Sequence, residues 1–168
     1  MEYNHRIVKS AIAAAQGFIP GLETRSGFCL KVVRQIIEHA LYGGRYEFYD
    51  DYLIAGTTFR AGNSIERVQA ARLDPWASDL EASMKQHQPS LSIPATERQA
   101  GDLVFDHTVA NGVGHVGILI SPDWVIENIN PVHRPYGIRT PVKNLVISPY
   151  QFPYEQARWT LVARLRPL

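Results

Sequence analysis

The sequence predicts an α+β domain, with helices in the N-terminal part packed on a mostly antiparallel sheet formed by the C-terminal half. Three observations predict it. Apolar residues recur at helical spacing through the first 42 positions. From Gly101 onward the pattern changes to short apolar runs between turn residues. The chain has 168 residues, 45% hydrophobic and 20% charged, the size and make-up of one globular domain able to bury its own core. Helices first and strands later is the α+β order, not the alternation of a parallel sheet.

The elements follow in order. Asn4 is placed to cap a helix over 4–16, whose apolar positions Ile7, Val8, Ala11, Ile12 and Ala15 share one face. Gly17 ends it and Pro20-Gly21 turns the chain. Ser26 is placed to cap a second helix over 27–42, with the stripe Cys29, Val32, Val33, Ile36, Ile37 and Ala40 and a stop at Gly43-Gly44. A helical insertion is expected over about 45–99. Within it, 46–52 is aromatic and acidic, and Asn63 with Glu66 resembles a capping box before a helix near 64–73. Asp74-Pro75 starts a helix near 75–87, and 89–96 is a connector. Strands are expected at 103–105, 116–121, 124–129 and 160–165, with a weaker one at 142–147. Ser121-Pro122-Asp123 joins two of them as a hairpin.

Composition excludes several classes. Seventeen Lys+Arg against sixteen Asp+Glu leave a net charge of +1, which gives no basic footprint for nucleic acid. No apolar run approaches the ~20 residues of a membrane span. A single cysteine leaves no internal disulfide. His5, Arg6 and Lys9 before the short apolar stretch 11–15 read as part of the fold, not as a signal peptide. No Cys or His pair has metal-ligand spacing, no dinucleotide fingerprint is present, and no cofactor is expected. Oligomeric state has no sequence signal.

Cys29, the only cysteine, falls in the first turn of the second predicted helix. Unpaired N–H groups and the positive end of the dipole lower a thiol pKa there and can also hold an oxyanion. A lone cysteine on an apolar stripe is more often a core residue. The combination carries more weight. His115 follows Gly112-Val113-Gly114 and opens a strand, where it can serve as the base that a cysteine nucleophile needs. One hairpin later stand Glu127 and Asn128, either able to orient the imidazole. Successive strand residues face opposite sides, so only one of the two can do so. His107 is an alternative base in a loop, and Ser26 an alternative nucleophile. His5, His39 and His87 read as exposed, His133 as lining a cleft or solvated, Asp50-Asp51 as a solvated turn, and Gln16 as a candidate second oxyanion donor.

Gly101-Asp102-Leu103-Val104-Phe105, Gly114-His115-Val116-Gly117-Ile118 and Val125-Ile126-Glu127-Asn128 resemble the NlpC-type branch of the papain-like cell-wall peptidases, with the related CHAP amidases. The resemblance covers about 27–42 and 100–129. The family's Asp-Cys-Ser-Gly-Phe order is replaced here by Ser26-Gly27-Phe28-Cys29. What the resemblance implies is a papain-like fold and a cysteine hydrolase, with Cys29 as nucleophile, His115 as base, and Glu127, twelve residues on, as third member ahead of Asn128. The implied substrate is a peptide or amide bond of peptidoglycan or a muropeptide, and the implied source a bacterial or phage lysin, reaching the wall by lysis or a dedicated export route. The alternatives are an intracellular thioesterase or deamidase, and a virion module of the same fold without catalysis.

Overall fold

The computed structural model describes residues 2–42, 77–87, 89–109, 112–151 and 159–165. The readings at 46–52, Asp50-Asp51, Asn63 with Glu66, 64–73 and Asp74-Pro75 lie outside these residues. Three α-helices are described: α1 (Glu2–Ala15), α2 (Cys29–Tyr42) and α3 (Ala77–His87). Seven strands are β1 (Ser92–Ile93), β2 (Leu103–Asp106), β3 (His115–Ser121), β4 (Trp124–Asn128), β5 (Ile138–Arg139), β6 (Leu145–Pro149) and β7 (Leu161–Ala163). They form one sheet in the order β1-β7-β2-β3-β4-β6-β5, with every pair antiparallel. The α+β class and the antiparallel C-terminal sheet are therefore as the sequence predicts. No helix among the described residues is long and apolar enough to cross a membrane.

Register decides which face of the sheet each residue serves, because directly opposed residues point the same way. Leu103 opposes Ile118, Phe105 opposes Val116, and Ile118 opposes Ile126. These join Ile7, Ile36 and Ile37 of α1 and α2 in the main core, so the helix layer covers this face. Val104 opposes Gly117, and Leu119 opposes Val125. They look the other way, into a smaller core with Tyr150, Trp159 and Val162.

Two helix starts differ from the expected ones, for local reasons. Asn4 is inside α1, not at its cap. Its Nδ2 reaches across to the Ala100 carbonyl (2.8 Å) and to Asp102 Oδ1 (3.0 Å). Ser26 is exposed and caps nothing: Gly27 has φ +89°, outside the helical region, so α2 begins only at Cys29. The strand expected at 142–147 lies at Leu145–Pro149, after Asn144 takes a left-handed φ of 65°. β1 and β5, at two residues each, are too short for any periodicity to reveal.

The Gly-Asp pair before β2 has a structural task. Asp102 is fully buried, accepts Nε (2.8 Å) and Nη2 (2.9 Å) of Arg164 as a fork, and also takes the Gln99 N–H (2.8 Å). The carboxylate thus ties α1, β2 and the segment after β7 together. Breaking a buried, hydrogen-bonded ion pair by truncating one partner costs several kcal/mol. Asp102→Ala is expected to lower unfolding stability by about 3 kcal/mol, read as a fall in denaturation midpoint without change in slope. An unchanged midpoint would show the network to be idle.

Candidate active site

Cys29 is the first residue of α2, and α2 lies on β3 and β4. The chain enters it through Arg25–Phe28, and this entry is fastened to the sheet from below. Asn128 Nδ2 donates to the Arg25 carbonyl (3.0 Å), and Asn144 Nδ2 to the Thr24 carbonyl (3.0 Å). The later helix start matters chemically. The N–H groups of the first turn have no partner within the helix, so they are available to the sulfur and to an incoming oxygen.

The thiol lies close enough to the His115 ring at the start of β3 for the two groups to shift each other's titration. The backbone N–H groups of Val116 and Leu30 also act on the sulfur and favour its charged form. On the other side of the ring, His115 Nε2 lies 2.6 Å from Glu127 Oε1, leaving Nδ1 for the thiol. Gly117 opposes Glu127 in the register, one alternation along from His115. A Cβ on Gly117 would stand 2.5 Å from Val125 Cγ1 and 2.9 Å from the Ile126 carbonyl oxygen. The second glycine of Gly-His-Val-Gly-Ile therefore lets β3 and β4 close on each other where the histidine and the carboxylate must meet. Gly117→Ala is expected to cost about 1–3 kcal/mol, because a backbone oxygen cannot rotate away. It should also lengthen the His115–Glu127 contact, measured as a lower melting temperature together with slower thiol alkylation.

The electrostatics favour the charged forms. Burial alone would push the Cys29 thiol up, but the hydrogen bond and positive charge of His115, with the two N–H donors, bring it below its ordinary value. Burial alone would push the imidazole down; hydrogen bonds to Cys29 and Glu127 and their negative charges override this and raise it to about 10. Glu127 is held below the usual carboxylate range, since the His115 hydrogen bond and the charges of His115 and Arg134 outweigh its burial. All three shifts favour the thiolate–imidazolium form of the pair.

Glu127 and Asn128 separate as alternation requires. Glu127 faces His115, while Asn128 points to the opposite side and holds the loop before Cys29. The structure thus brings Cys29, His115 and Glu127 together and gives Asn128 a different place. His107 is drawn off by Glu81, with Nδ1 2.8 Å from Oε2, and Thr160 donates its hydroxyl to the same carboxylate (2.9 Å). His39 lies on Ser10 Oγ (2.9 Å), and His5 and His133 are exposed. Gln16 is exposed just beyond α1. Among the described residues, no group of three His, Cys, Asp or Glu side chains could hold a metal ion.

Two residues join the site without having been singled out from sequence. Trp159, before β7, stacks on the His115 ring at 6.1 Å and 24° and donates its indole N–H to the Tyr150 carbonyl (3.0 Å). Arg134, after the turn Pro131–His133, donates Nε to Glu127 Oε2 (2.9 Å) and Nη2 to Oε1 (3.0 Å). Alternation identifies β4 residues but says nothing of a loop arginine seven positions on. For Trp159 the only signal is a large aromatic at the start of the last strand.

A groove of about 470 Å3 opens at the same end of the sheet, lined by Asn130, Val132, Arg139, Thr140, Lys143 and Asn144 among others. It lies beyond the ends of β4 and β6, on the side where Asn128 and Asn144 hold the loop leading to Cys29. The chain matches no family model, and no curated protein matches it.

Proposed function

We propose that the chain is a papain-like cysteine amidohydrolase of the NlpC or CHAP type, cleaving a peptide or amide bond of peptidoglycan. The observation that carries this reading is the line Cys29–His115–Glu127: a thiol at a helix N-terminus, beside an imidazole whose Nε2 is 2.6 Å from a buried carboxylate. The Cys29 thiolate attacks the amide carbonyl. The tetrahedral oxyanion forms beside the free N–H end of α2, where the Cys29 N–H donates to it. His115 gives its proton to the departing amine, leaving a thioester on Cys29. Neutral His115 then takes a proton from water, which attacks the thioester carbonyl. The acid leaves, and the thiol is restored. Trp159 screens the His115–Glu127 contact on one ring face.

The coupling of the thiol to His115 supports an enzyme over a non-catalytic module, in which the sulfur would meet only apolar side chains. Peptidoglycan incubated with wild type and with Cys29→Ala, followed by mass spectrometry of the soluble fragments, tests the substrate. The expected result is fragments with a new amine and a new carboxyl end in the wild-type digest alone. Identical fragment profiles from the two proteins would sink the reading, and activity only on small thioesters would favour the intracellular alternative.

A further inference from the structure

Glu127 and Arg134 form a contact that the three-residue mechanism does not use. The Glu127 side chain is 0% exposed and that of Arg134 10%. The arginine fork grips both carboxylate oxygens, and its remaining nitrogen donates to the His133 carbonyl (2.8 Å). The turn beneath it is fixed as well: Asn130 Oδ1 accepts the Val132 N–H, and the Arg134 N–H closes on the Pro131 carbonyl. Four groups therefore alternate in sign along one line, Cys29, His115, Glu127 and Arg134. The line is balanced whether the proton sits on sulfur or on the ring.

Catalysis changes the charge of one member in mid-cycle. While the thioester stands, His115 has given up its proton and is neutral. A carboxylate buried beside a neutral ring has lost its ionic partner, and such a group takes up a proton or turns away. A guanidinium does not titrate in the working range, and its planar fork fixes carboxylate rotation. We infer that Arg134 is a positioning residue, holding Glu127 ionised and aimed at His115 through both halves of the cycle and setting the pH at which the thiol–imidazole pair forms. This rests on reading Cys29 and His115 as a working pair, but not on the identity of the substrate.

Other charges around the line are committed elsewhere or more distant. Asp106 of β2 opposes His115, with Oδ1 taken by the Thr108 N–H and hydroxyl. Glu81 of α3 is held by His107, Lys85 and Thr160. Arg139 of β5 stands in the same row as Glu127, beyond Val146, and is exposed. Arg98 lies over the Tyr150 ring at 3.9 Å, and Arg25 is paired with Glu23. On α2, Lys31 stands over the Phe28 ring at 5.6 Å.

The test is the pH dependence of Cys29 alkylation by iodoacetamide in wild type, Arg134→Gln and Arg134→Lys, with a melting curve for each. Removing a fixed positive charge raises the pKa of every group along the line. Arg134→Gln is therefore expected to move the acid limb up by roughly half a unit to one unit. Arg134→Lys keeps the charge and should hold the limb nearer the wild-type position, which preserves the test if the glutamine variant fails to fold. A glutamine profile superposed on that of wild type, or a lysine limb moved up by a full unit, would overturn the assignment. Alkylation needs no substrate, so a shifted limb in a protein that leaves peptidoglycan intact would count against the proposed function and not against this inference.

Discussion

Cys29→Ala and His115→Ala will each leave no hydrolysis above background, a loss of roughly 10⁴-fold or more, while the protein still folds. The two losses will not add, since thiol and imidazole act as one unit. Cys29 is part of the main core at 8% exposure, and its truncation removes one sulfur from the end of a helix while Glu127 still holds His115. The expected stability change is about 1 kcal/mol, far too little to account for lost activity by unfolding. The measurement pairs turnover with a thermal melt. Activity retained in Cys29→Ala would remove the cysteine from the chemistry altogether, and with it the reading of Ser26-Gly27-Phe28-Cys29 as a nucleophile segment.

Glu127→Gln will cost roughly 10²–10⁴-fold in turnover, and Asn128→Ala no more than about 10-fold. The two residues are neighbours on β4 and chemically similar, yet they face opposite ways. Glu127 supplies a negative charge 2.6 Å from the ring, which a glutamine cannot replace when the imidazolium forms. Glutamine also leaves the Arg134 guanidinium without its anionic partner, so the melting temperature should fall too. Asn128 acts at a distance, through the Arg25 carbonyl, and its loss removes one hydrogen bond worth about 1 kcal/mol. Its effect should appear as a looser loop before Cys29, with a change in KM more than in kcat. The reverse order of the two variants would assign the orienting role to the amide.

The sequence carries much of this arrangement, and the reasons differ from residue to residue. The stripe from Cys29 to Ala40 and the apolar runs of β2, β3 and β4 are periodic, and periodicity is the signal that burial leaves in a chain. Strand alternation lets only one of Glu127 and Asn128 face His115, and which one does so depends on register with Gly117, which is a tertiary fact. Helix starts are read from caps, and both expected caps are displaced by longer-range demands. Asn4 serves Asp102 across the fold, and Gly27 turns left-handed before the helix can begin. Arg134 and Trp159 come from a loop and from the approach to a short strand, where no period marks a residue as belonging to a site.

The proposed chemistry depends above all on the state of one sulfur, and the rate of Cys29 alkylation by iodoacetamide in the folded wild-type protein, followed against pH, tests it most directly. Because the thiol is brought below its ordinary value and the imidazole stays charged up to about 10, the thiolate should already be populated at neutral pH. The expected result is modification at Cys29 that is fast at pH 7 and titrates below the free-thiol value of about 8.5. A thiol that reacts slowly until denaturant is added, with a midpoint at or above that value, would make Cys29 a packed core residue and contradict the account.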